Sequence, residues 1–222
     1  MRNIWTPLCD DLEIEFPIFG FAHDIQVVAA ITNSGGYGVY GATRRFPHEI
    51  EEELAQIKRL VGNKPFGVDL VLPPGMPSHN SREAIEEEIP SKHKAFVNSL
   101  IEKYSVPEAS EPGMRTRFIR SKEIEDQQLE AVLSSEVNML ACGIGAPPNV
   151  IAEAKRLGKT TLALIGSPHH VPRALKAGVE ILVAQGYDAL SLIHISEPTR
   201  PERISYGGVG VEKKRGGGGG GG

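Results

Sequence analysis

Cysteine is scarce in this chain. Cys9 and Cys142 are the only two in 222 residues, too few for a disulfide framework or a cysteine-based zinc site. Long apolar runs are also missing: no stretch approaches the roughly 18 residues that a membrane-spanning helix needs. The N-terminus, MRNIWTPLCDDLEIEF, meets acidic residues early and has no apolar core segment, which excludes a secretory signal. Nor is there an excess of basic charge. The 24 Lys and Arg against 28 Asp and Glu leave a net −4, so there is no electrostatic footprint for nucleic acid. What is present is ordinary for a folded protein, with 40% apolar and 23% charged residues. These features predict a cytoplasmic, water-soluble chain of enzyme size, with no membrane partner and no nucleic-acid partner. By length it holds one domain or two small ones.

Six short apolar runs punctuate the first 189 residues: 16–20 (FPIFG), 37–41 (YGVYG), 66–72 (FGVDLVL), 137–142 (VNMLAC), 160–165 (TTLALI) and 179–184 (VEILVA). Their near-continuous hydrophobicity suits strands buried on both faces, as in a parallel sheet. Helical patterns lie between them. Residues 24–34 end at Gly35. Pro47 opens a helix with Ile50, Leu54, Ile57 and Val61 on one face and Gly62 beyond its end. Pro148 and Pro168 open two more, closed by Gly158 and Gly178. Alternating strands and helices imply right-handed βαβ units. Both a doubly wound sheet and a (β/α)8 barrel fit this pattern.

Two stretches break the rhythm. Residues 73–135 separate the third and fourth runs by far more than a normal crossover. They hold an amphipathic pattern (Ile85, Ile89, Phe96, Val97, Leu100, Ile101, Tyr104), a Pro/Glu-rich loop and a further helix from Ser121. This stretch is expected to be a helical insertion after strand three, either a lid over the strand C-termini or a packing element. The C-terminal end differs in kind. Residues 216–222 are all glycine, and 190–200 read LSLIHISEPTR, which resembles the in-frame translation of a transposase adaptor used in sequencing libraries. Residues 190–222 are therefore expected to be a non-native, disordered tail; the alternative is a true strand over 190–195. Without the tail, 19 basic and 25 acidic residues remain, a net −6.

Three blocks carry a family resemblance: PIFGFAHDIQVVAAITNSGGYGVYGA, KPFGVDL, and ACGIGAPPNVIAEAKRLGKTTLALIGSPHHVPRALKAGVEILVAQGYDA. Together they resemble the nitronate monooxygenase (2-nitropropane dioxygenase) family. That resemblance implies an FMN-containing TIM barrel, of which 1–189 would supply six of eight strands. It implies an oxidoreductase that converts alkyl nitronates with O2 to a carbonyl compound and nitrite. A reductase of the same superfamily, using FMN and NAD(P)H on enoyl thioesters, is the runner-up, and an inert fragment is the third reading.

Site residues follow from chemistry and resemblance together. Asp69 stands among apolar neighbours on a strand, where a carboxylate is costly unless paired or hydrogen-bonded. The resemblance puts it beside the flavin, where the family usually has Asn. Gln185, with Gly186, follows strand six, and a polar amide at a barrel strand's C-terminal end reads as a ligand contact. Phe19 and Gly20 end the first run, where backbone can approach a flat ring. His23 reads either as a base or as a residue at a helix terminus. Gly143 and Gly145 read as a glycine-rich loop before a helix, Cys142 as a buried packer, and His169 and His170 as an exposed helix start with no metal. The family's Gly-Gly-His signature would put its histidine at position 192, here Leu192. No catalytic residue is therefore expected in this chain, which is expected to be inactive as it stands.

Overall fold

The computed structural model describes residues 4–78, 81–110 and 118–185. Six parallel strands run in the order β1-β2-β3-β4-β5-β6. They are β1 (Phe19–Ala22), β2 (Tyr37–Gly41), β3 (Gly67–Val71), β4 (Met139–Ile144), β5 (Thr160–Ile165) and β6 (Ile181–Ala184). Sequential order, parallel direction and a helical crossover between each strand and the next are the topology of successive βα units in a (β/α)8 barrel. The chain divides into two compact units. One holds residues up to Val68 together with Pro73–Val137; the other holds Asp69–Leu72 and the residues from Asn138 onward.

In the first unit, α1 (Pro7–Asp11) precedes β1, and α2 (Ile25–Asn33) and α3 (Pro47–Val61) follow β1 and β2. Asp24 starts α2: its carboxylate accepts from the Gln26 and Val27 amides at 2.8 and 3.0 Å, which satisfies two otherwise orphan donors. Pro47 starts α3, and the Glu49 side chain accepts from the Phe46 amide at 2.7 Å. The predicted stripe of Ile50, Leu54, Ile57 and Val61 is buried, at about 1.5–3 kcal/mol of apolar transfer for each side chain. Gly62 then adopts φ 63° and ends the helix.

The first strand lies further along the chain than its apolar run suggested. It begins at Phe19 rather than Phe16 and continues to Ala22. Pro17 is the reason. It has no amide to donate, and the Ile18 amide turns back to the Phe16 carbonyl at 2.7 Å, so pairing with β2 starts at the Ile18 carbonyl, which accepts from Tyr37. From there the register is Phe19 with Tyr37 through Ala22 with Tyr40. Gly36, Gly38 and Gly41 show the G-x-G-x-x-G spacing of a dinucleotide loop, but Gly38 and Gly41 lie along β2, not in a strand-to-helix turn. Packing explains the middle one: a Cβ at Gly38 would lie 2.5 Å from the Val28 carbonyl oxygen and the Thr32 Oγ1 of α2.

The long interval after β3 is not all insertion. Its last helix, α6 (Lys122–Ser134), is capped by Ser121 and packs against α3 with Glu125, Gln128, Ala131 and Val132 buried. It therefore fills the ordinary place of the crossover helix before β4. The true excess is α4 (Arg82–Glu88) and α5 (Ser91–Tyr104), which Pro90 separates into two helices. Helix α5 buries no residue, and Phe96, Val97 and Tyr104 on it are exposed.

In the second unit, α7 (Pro148–Arg156) follows β4, and a single 3-10 turn (Pro168–His170) leads into α8 (Val171–Ala177) after β5. Met139 pairs with Thr160 and Leu162 with Ile181. Glu180 anchors the start of β6: its carboxylate accepts from the Thr161 amide and hydroxyl, both at 3.0 Å. The apolar spacing of α7 turns Val150, Ile151, Ala154 and Leu157 inward; the first three are buried, but Leu157 falls at the C-cap, past the last helical turn, and is exposed. Gly178 at φ 90° closes α8.

Candidate functional site

In the second unit the chemistry gathers near the C-terminal ends of β3 to β6. Val68 and Leu70 are fully buried, and Asp69 between them is only 7% exposed. Strand alternation turns Asp69 to the opposite face of the sheet, where it lies beside Gly143 of β4. A Cβ on Gly143 would stand 3.1 and 3.2 Å from the two carboxylate oxygens of Asp69. The lack of a side chain at Gly143 thus lets the Asp69 carboxylate lie close against the β4 backbone, which a Cβ there would crowd. The sequence pattern had placed Gly143 in a loop, but β4 runs on to Ile144, so Gly143 is a strand residue. The Leu72 amide donates to the Ile144 carbonyl at 2.7 Å, which continues the β3–β4 ladder at this level.

Cys142 is 1% exposed. Burial, with a smaller contribution from the Asp69 charge, pushes its thiol up to about 12. A thiol held protonated is no nucleophile, so Cys142 packs. Gln185 follows β6, its amide donating to the Ile165 carbonyl at 3.0 Å. The Gln185 Oε1 lies 3.7 Å from where a Cβ on Gly166 would be, so a second polar side chain stands beside a second glycine just past a strand end. His169 and His170 lie in the exposed 3-10 turn after β5, and among the described residues no group of three or more His, Cys, Asp or Glu could hold a metal ion. Gly186, Leu192 and the whole of 190–222 lie outside the described residues.

The first unit presents its own strand-end chemistry. Gly20 is a packing glycine: its Cβ would fall 2.5 Å from Ile31 Cδ1 of α2. Phe19 is on the other face, its ring 5.4 Å from that of Tyr37. His23 lies across the end of β2, with Nδ1 2.8 Å from the Gly41 carbonyl oxygen. A shallow groove lined by Phe16, Ile18, Ala30, Ile31, Ser34 and Gly36 sits instead where β1 and β2 begin. It is almost wholly apolar and has little to orient a polar substrate.

Sequence reasoning missed the network that fixes the loop after β2. Gln128 of α6 is buried and donates to the Thr43 and Arg45 carbonyls at 3.1 and 2.6 Å. Arg45 Nε lies 2.9 Å from the Tyr40 hydroxyl and 3.0 Å from Glu53 Oε2, and the same hydroxyl donates to Glu53. Burial raises the Tyr40 hydroxyl well above its usual range, so it stays protonated and can keep donating. Only a polar residue amid the apolar positions of α6 hinted at this clamp.

Six parallel strands in sequential order, joined by helical crossovers, define a protein of the β/α-barrel class. The comparisons narrow this. The family model described as nitronate monooxygenase matches residues 6–191. The chain is 32% identical over 197 residues to the Mycobacterium tuberculosis protein Rv1533, named for a monooxygenase, covering 83% of this chain and 51% of that one. It is 30% identical over 192 residues to a Staphylococcus aureus protein (strain N315) that carries the name nitronate monooxygenase, covering 80% and 48%. Among solved structures it resembles nitroalkane oxidase from Streptomyces ansochromogenes, with TM-score 0.61 and 24% identity over 83% of this chain and 49% of that one. It also resembles FabK from Thermotoga maritima, with TM-score 0.56 and 20% identity over 82% and 44%; at these identities the likeness is one of fold. The chain belongs to the nitronate monooxygenase family, and it spans about half the length of the curated relatives it matches.

Proposed function

We propose that the full-length polypeptide carrying these residues is an FMN-dependent oxidoreductase that oxidises alkyl nitronates with O2 to a carbonyl compound and nitrite. The observation that carries this reading is the buried Asp69 carboxylate lying against the β4 backbone at Gly143, in a chain of this family. The donor set suits a flavin: a planar ring bearing an N–H can lie against glycine backbone and donate to a carboxylate. Asp69 and Gln185 are our candidates for polar contact with the ring. Gly186 is carried by the resemblance alone, as is backbone approach at Phe19 and Gly20. FMN, when bound, supplies the two-electron chemistry that no side chain can. The residues' part is to hold the ring by hydrogen bonds and, through glycine backbone, to let it approach closely.

The 190–222 segment we assign to a non-native tail, in keeping with a family match that ends at 191. Purified full-length protein should show the absorbance bands of bound flavin and consume O2 with release of nitrite when a nitronate is added. A colourless protein would overturn the cofactor assignment. Flavin-dependent reduction of an enoyl thioester by NAD(P)H, without nitronate turnover, would replace the oxidase reading with the reductase one.

A further inference from the structure

Helix α5 carries an apolar face that nothing among the described residues covers. None of its 14 residues is buried, although a helix of that length is marginal in water unless its apolar face is packed. Phe96, Val97, Leu100, Ile101 and Tyr104 recur at the spacing of one helix side and span about 140° of its circumference, with His93 among them. Phe96 and Tyr104 are 62% and 65% exposed, and Val97 and Ile101 are exposed as well. Lys92 and Lys103 border this face on one side and Lys94 on the other. Lys103 lies over the Tyr104 ring, 5.2 Å from its centroid, and the rest of the face stays open.

The neighbouring charge points to the occupant. Helix α4 ends in Glu86, Glu87 and Glu88, all exposed. Arg82 pairs with Glu86 at 3.7 Å, so the outward negative charge is mainly that of Glu87 and Glu88. Helix α5 begins with Lys92, His93 and Lys94, also exposed. The acidic run ends two residues before Pro90 and the basic run starts two residues after it. A two-fold axis beside Pro90 therefore lays the acidic end of α4 in one copy on the basic start of α5 in the other, twice over. Each α4 also brings Ile89, itself exposed, to the partner's apolar face. An anionic membrane fits this arm less well. Residues 81–105 hold four basic and five acidic residues, and the glutamates would meet the same headgroups that attract the lysines.

We propose that α4 and α5 form a self-association arm: in a two-fold dimer, a second copy of this chain covers the apolar face of α5 with its own α4. This goes beyond the reaction proposed above and does not depend on it. The excess stretch after β3 then serves assembly. The apolar face supplies the burial, and the charges on either side of Pro90 fix which helix meets which.

The test is sedimentation equilibrium of the full-length protein at micromolar concentration, with charge-reversed arms. Wild type should be a dimer. Glu87→Lys with Glu88→Lys makes both sides of Pro90 basic, and Lys92→Glu with Lys94→Glu makes both acidic. Each of these double variants alone should have its dimer Kd raised at least about tenfold, because like charges then face each other. Mixed in equal amounts, the two should form a dimer again, since every acidic run now meets a basic one. Phe96→Ser with Ile101→Ser should dissociate the dimer without any change of charge. All the substituted side chains are exposed, so each variant should keep a cooperative thermal melt. A monomeric wild type overturns the proposal, whether or not it binds anionic vesicles. So does a dimer left intact by any of the three double variants. Charge variants that dissociate yet fail to pair when mixed overturn it too, because α4 then does not lie on the partner's α5.

Discussion

Removing the Asp69 carboxylate tests the proposed cofactor contact directly. Asp69→Ala deletes a side chain that is 7% exposed and lies against the β4 backbone at Gly143. If that carboxylate accepts a hydrogen bond from the flavin ring, its loss costs about 1.5–3 kcal/mol, the range for a hydrogen bond to a charged group. This corresponds to a weakening of FMN binding of about tenfold to 150-fold. Asp69→Asn keeps an acceptor and should cost less. Gly143→Ala supplies the second arm. The new Cβ would stand 3.1–3.2 Å from the carboxylate oxygens and 3.3 Å from Val71 Cγ2, close enough to push Asp69 aside. The two substitutions act on one contact, so their costs should not add: Gly143→Ala should lose less affinity in the Asp69→Ala background than alone. Quenching of FMN fluorescence, titrated against wild type, the three single variants and the double variant, reads all the affinities. Equal affinity of wild type and Asp69→Ala would refute the reasoning and make Asp69 a structural residue.

Other outcomes follow from the same geometry. Gln128→Ala should destabilise the protein by about 1–3 kcal/mol in urea unfolding, because it leaves the Thr43 and Arg45 carbonyls without their buried donor. Cys142 should resist thiol reagents at pH 8 until the protein unfolds. Its folded value near 12 lies above the ordinary 9.0, so its contribution to stability is complete below pH 9 and is lost as the pH rises from 9 toward 12; a stability curve flat across that window would count against it. Deleting residues 190–222 should leave the melting temperature unchanged, and a lowered melt would show that the tail belongs to the fold.

Much of this protein is written locally in its chain. Pro47, Pro148 and the glycines at 62 and 178 mark helix ends because each acts on its own backbone. The stripe of Ile50, Leu54, Ile57 and Val61 shows its buried face by spacing alone. Asp69 stood out for the same local reason: a carboxylate between Val68 and Leu70 on a buried strand demands an explanation wherever the strand goes. The start of β1 was misjudged because an apolar run does not show that Pro17 makes a turn and defers pairing to Ile18. Other features are invisible until the strands are paired. That Gly143 lets the Asp69 carboxylate lie against β4 depends on the register of β4, 74 residues further along. That the His23 ring meets the Gly41 carbonyl depends on a contact across 18 residues, and that Gln128 holds the loop after β2 depends on one across 85. Capping and periodicity act within a turn or two of chain, so sequence alone reveals them. Which groups stand opposite a glycine is decided by register and helix docking, and those belong to the tertiary structure.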